Sequence, residues 1–126
     1  MLNLENYLKA GQTTISNLLL KNYHRIGLQA EEFLFILQLQ RAQLEGDFFP
    51  DLHSIALDMG VKQERIYQIL NDLISNGFIK IETATIDGKQ ADRYNLYPIY
   101  EILGNFLESQ NQKQADLSQE KMVQSV

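Results

Sequence analysis

The chain has 126 residues and no cysteine, and its sixteen Asp and Glu against eleven Lys and Arg give a net charge of −5. That length fits one domain able to bury roughly two-thirds of its unfolded surface, and the lack of cysteine excludes disulfides and thiolate metal sites. No apolar run approaches the roughly 20 residues that cross a bilayer, and the start lacks the basic residues and apolar run of a signal peptide, so a soluble cytoplasmic protein is expected.

Residues 3–10 read as a short amphipathic helix with Leu4, Tyr7 and Leu8 on one side and Gly11 as its stop. Residues 12–15, with Thr13, Thr14 and Ile15, favour an extended segment. Ser16 is placed to cap a helix from Asn17 to about Arg25, in which Leu18, Leu19, Leu20 and Tyr23 are too many for one narrow stripe. Residues 29–44 read as the longest helix. Its apolar positions Phe33, Leu34, Phe35, Ile36, Leu37, Leu39 and Leu44 are broad enough for the central helix of a bundle.

Residues 51–96 organise the rest. Leu52, Ile55, Ala56 and Met59 recur at helical spacing and end at Gly60; Ile66, Ile69, Leu70, Leu73 and Ile74 do so again and end at Gly77. A strand opens at Phe78, Asp87-Gly88 is a strong two-residue hairpin signal, and residues 93–96 return. With Asp87-Gly88 as the loop, Ile79 faces Leu96 and Ile81 faces Tyr94 on an apolar face, while Lys80 faces Asn95 and Glu82 faces Arg93 on a polar one. Residues 98–108 form a last helix. Beyond Ser109 a Gln-rich stretch with little apolar period reads as a linker or disordered tail, which gives a domain over 1–108 and a tail over 109–126 and hints at a fragment of a longer chain. The expected fold is α+β and mainly helical: a winged helix-turn-helix with an extra N-terminal helix and strand segment and a C-terminal helix.

Such a shape points first to DNA. Lys62, Arg65, Gln68 and Asn71 on the second helix are the candidate base and phosphate contacts of a DNA-binding transcriptional regulator. Residues 47–96, however, carry eight acids and five bases, too few cations to position a duplex through its phosphates. The exposed face of the second helix therefore reads as solvated or protein-binding. Catalysis has no constellation behind it. His24 and His53 lack metal-site spacing, Asp51 and Asp58 read as cap and surface, and neither a phosphate loop nor a nucleophile motif occurs. No enzyme activity, cofactor or metal is expected. The N-terminal surplus beyond what a winged helix needs (Leu4, Tyr7, Leu8, Thr14, Ile15 and Leu18) points to self-association, with packing onto its own domain as the alternative.

Four stretches then carry a family likeness: Gly11-Gln-Thr-Thr-Ile15-Ser-Asn17-Leu-Leu-Leu20-Lys-Asn-Tyr23-His-Arg-Ile-Gly27-Leu28, Leu44-Glu-Gly46-Asp-Phe-Phe-Pro50, Asn76-Gly77-Phe78-Ile79 and Arg93-Tyr94-Asn95-Leu96-Tyr97-Pro98. In order and spacing the chain resembles the N-terminal domain of DnaD replication-initiation proteins over about residues 4–107. The resemblance implies a primosomal domain that forms dimers and higher oligomers and contacts the initiator DnaA and helicase-loading proteins. It also implies a separate C-terminal helical domain, with a YxxxIxxxW-type motif, that supplies most DNA binding and is absent from this sequence. The positions matching the family's initiator contact are Phe49, Ile81 and Asp92, although the hairpin register leaves Phe49 and Ile81 as core candidates. Lys62 stands where many helix-turn-helix proteins carry a Ser or Thr cap, so the second helix is expected to fray at its start.

Overall fold

The broad apolar stripe of residues 29–44 decides the architecture, because a helix buried on more than one side must have neighbours on each. The computed structural model describes the backbone of residues 3–124 and the side chains of residues 3–119. In chain order it contains α1 (Leu4–Ala10), α2 (Asn17–Asn22), α3 (Ala30–Leu44), α4 (Leu52–Met59), α5 (Gln63–Ser75), β1 (Lys80–Ile86), β2 (Lys89–Asn95) and α6 (Tyr97–Gln124). The arrangement is mainly helical α+β, with one two-stranded antiparallel sheet among the described residues.

Helix α3 is the hub. Phe33, Phe35, Ile36, Leu39 and Ala42 are buried along it, and it packs against both α4 and α5. Its first turn is held by a capping box: the Gln29 N–H donates to Glu32 Oε1 at 2.9 Å, which gives the buried carboxylate of Glu32 a partner. Leu19 from α2, Leu28, the α5 stripe Ile66, Ile69, Leu70 and Leu73, and Ile99 and Leu103 from α6 complete the same core.

Asp51 caps α4, accepting the His53 N–H at 3.3 Å and the Ser54 hydroxyl at 3.1 Å. These bonds, that of Ser54 foremost, hold its carboxyl below the ordinary value. Gly60, at φ 70°, turns the chain out of α4 in a left-handed conformation that only glycine adopts without strain. Helix α5 then starts after Lys62, which makes no side-chain cap bond.

The hairpin has the register read from the sequence, from Ile86 facing Lys89 through Glu82 facing Arg93 and Ile81 facing Tyr94 to Lys80 facing Asn95. Asp87 and Gly88 both have positive φ, 52° and 77°, as a type I′ turn requires. The ladder ends at Lys80. Phe78, Ile79 and Leu96 lie beyond it and are spent in the core instead of extending the strands.

Three expectations change. Helix α2 stops at Asn22 instead of Arg25, because the chain turns at Tyr23 to bury Leu28, whose N–H donates to the Tyr23 carbonyl at 3.0 Å. The longest helix is α6, with 28 residues against 15 in α3. It does not stop at Glu108: the Gln-rich stretch read as a linker or disordered tail is helical to Gln124, while residues 125 and 126 lie outside the described residues. No proline or glycine follows Gly104, and Gln, Lys, Glu and Ala are good helix formers. Gln112 Nε2 also donates to Asp116 Oδ1 one turn on, at 3.2 Å. No described helix is long and apolar enough to cross a membrane.

Candidate functional site

Large apolar side chains are left uncovered together in two places, beside scattered ones such as Leu34, Leu44, Leu57 and Tyr97. The first is the N-terminus. Leu4, Tyr7 and Leu8 share one stripe of α1 and are 72%, 56% and 63% exposed; α1 contributes no buried residue at all. It is nevertheless well formed, with Asn3 Oδ1 accepting the Asn6 N–H at 2.9 Å and a Lys9–Glu5 ion pair at 2.9 Å. Thr14 and Leu18 are exposed as well, but Ile15 is partly packed on the core. The extended segment between α1 and α2 is tied down where Gln40 Nε2 donates to the Thr14 carbonyl at 2.6 Å.

The second place is the base of the hairpin. Tyr94 is buried there and connects the three positions matched to an initiator contact. Ile81 faces it across the ladder, Phe49 stacks on its ring at 4.6 Å, and Asp92 lies two residues earlier on the same face. Phe49 and Ile81 are not core residues, as the register had left them, but are 45% and 47% exposed. The hairpin is too narrow to cover both faces, so side chains aligned with its apolar side remain partly in solvent. Burial of Tyr94, with Tyr67 of α5 nearby, pushes its phenol above the ordinary value. Tyr67 is itself exposed on α5.

The candidate DNA-contact residues do not form a free basic face. The Arg65 Nε donates to Glu31 Oε1 of α3, and its Nη1 donates to Gln68 Oε1 at 3.4 Å. The guanidinium is thus already paired, and Gln68 is engaged with it. Lys62 and Asn71 are exposed. Among the described residues no group of His, Asp and Glu is arranged to hold a metal ion.

The family model described as the DnaD N-terminal domain matches residues 15–114. The chain belongs to the DnaD N-terminal domain family. The replicative helicase loading/DNA remodeling protein DnaD of Bacillus subtilis (strain 168) is 30% identical over 106 residues, which is 82% of this chain and 46% of that protein. The chain therefore spans about half the length of this curated relative. The crystal structure of the N-terminal domain of DnaD protein from Geobacillus kaustophilus HTA426 superposes with a TM-score of 0.78 at 26% identity, covering 92% of this chain and 99% of that one. The DnaD match extends past Glu108, so the first part of the Gln-rich helix lies within the family's domain.

Proposed function

We propose that this DnaD-family domain is a non-enzymatic, cytoplasmic assembly module of DNA replication initiation or restart. In this reading α4, α5 and the hairpin make a winged helix that serves as a protein-binding scaffold. The module self-associates through the N-terminal segment and binds DnaA and helicase-loading proteins through the hairpin base. The observation that carries the reading is α1, a capped helix with its whole apolar stripe in solvent and no residue buried. Isolated short helices are marginal in water, and an apolar stripe of this size is a surface to be covered. Homo-oligomers with two-fold symmetry, a dimer or a tetramer, cover it with the least new structure.

Sedimentation of the chain at micromolar concentration tests this. We expect a dimer or larger species, and deletion of residues 1–16 lowers the oligomeric state; a strict monomer, or an unchanged mass after deletion, overturns it. For the hairpin base, Ile81→Glu weakens binding of DnaA while circular dichroism shows an unchanged fold. Unchanged DnaA affinity in that folded variant removes Phe49, Ile81 and Asp92 as the contact.

A further inference from the structure

We propose that the outer edge of β2, at Gln90 and Asp92, accepts a third strand from a partner protein. The incoming segment is extended and alternates basic with bulky apolar side chains. The proposal rests on the reading of the hairpin as a partner surface, with which it shares Phe49 and Asp92.

The edge is defined by the ladder. The Tyr94 N–H leaves the hairpin and donates to the Phe48 carbonyl at 3.0 Å, while the Tyr94 carbonyl accepts from Gln43 Nε2 at 2.9 Å. Tyr94 is therefore a position whose backbone faces away from β1. Antiparallel pairing alternates, so the backbone groups of Asp92 and Gln90 face the same way. At Tyr94 the chain itself supplies the neighbour, residue Phe48. Beyond it, no described residue pairs with Asp92 or Gln90 along that edge. The chain has begun a third strand and left two further places open.

A hollow lies beside those places. Ala84 and Ala91 face each other across the ladder, and their small side chains leave a dip of about 290 Å³ rimmed by Phe48, Phe49 and Ile86, with Asp92 and Arg93 completing its lining. All three rim residues are substantially exposed. An added strand places alternate side chains on opposite faces, so one set drops into this apolar dip and the next lies beside Asp92. On that second face Asp92 is the single charged side chain of the two strands. It accepts the Thr83 hydroxyl at 2.8 Å and has no cation paired with it among the described residues. On the hollow side Arg93 already has Glu82, at 3.5 Å. Apolar side chains thus suit one face and basic ones the other, and the net charge of −5 favours a basic segment generally.

The test uses the synthetic peptide acetyl-Gly-Lys-Phe-Lys-Val-Lys-Gly-amide and the full chain, read by NMR titration and amide hydrogen exchange. We expect saturable shifts along β2, slowed exchange at the Gln90 and Asp92 amides, and affinity at least about tenfold lower for a peptide with Glu in place of each Lys. Gln90→Pro removes an edge N–H without touching the ladder and should abolish binding, whereas a proline at 91 would break the hairpin itself. Should Gln90→Pro misfold, Ala91→Leu fills the hollow instead and should weaken the peptide by a similar factor. No shifts, shifts confined to another surface, or full binding by folded Gln90→Pro or Ala91→Leu overturns the strand site. Loss of the peptide site with DnaA binding still sensitive to Ile81→Glu removes only the strand mode. The reverse pattern removes only the DnaA contact.

Discussion

Tyr94 commits its backbone to Phe48 and Gln43, its ring to Phe49, and its ladder position to Ile81. Its phenol oxygen makes no hydrogen bond among the described residues, so the ring and not the hydroxyl makes its side-chain contacts. Tyr94→Phe should change stability by less than about 1 kcal/mol, whereas Tyr94→Ala should cost about 3 kcal/mol or more through the cavity it leaves. Urea denaturation separates the two, and equal losses would show that the hydroxyl matters. Arg65 gives a contrasting case. Its pairing with Glu31 joins α5 to α3, but both side chains are more than one-third exposed, so solvent screens the pair. A double-mutant cycle of Arg65→Ala and Glu31→Ala should give a coupling of about 0.2–1 kcal/mol that shrinks as salt is added. A coupling near zero at low salt would return Arg65 to the set of side chains available to an outside ligand.

The elements divide according to how much local chemistry specifies them. The hairpin was readable pair by pair, since Asp87-Gly88 fixes the turn and a one-residue slip would mix its faces. Helices α3, α4 and α5 were readable from period and caps. The same arithmetic already placed Ala84 opposite Ala91, but not the Phe48 carbonyl that joins β2 from a distant loop. Nor could period tell whether Phe49 and Ile81 would be covered, because that depends on a layer the sequence pattern does not name. The helix through the C-terminal stretch escapes the period for another reason: absence of an apolar stripe argues against packing, not against helix. Side chains 109–119 are indeed all exposed, and the last residue packed against the core is Leu107. Truncation after Glu108 should therefore cost no more than about 0.5 kcal/mol in thermal or urea unfolding while lowering the far-ultraviolet helical signal. A loss above about 1 kcal/mol would mean that the overhang of α6 stabilises the domain.

At the scale of the whole molecule, charge argues against duplex DNA as the ligand of the α4–α5–hairpin region. Residues 47–96 hold eight acids and five bases, and two of those bases, Arg65 and Arg93, are already paired with Glu31 and Glu82. That leaves Lys62 at the start of α5, with Lys80 and Lys89 at opposite ends of one hairpin face, too dispersed to focus a potential. Neutralising about three phosphates gives a log–log salt slope no steeper than about −3, against the six to ten contacts of a typical duplex binder. A salt series on duplex DNA should therefore show binding only at low ionic strength, with that shallow slope and none near physiological salt. Arg65→Ala should leave even this residue of affinity unchanged, since its guanidinium serves α3. A slope near −6 with tight binding at physiological salt would instead establish a DNA-reading regulator. In that case the Glu31 pairing of Arg65 would have to open on the duplex.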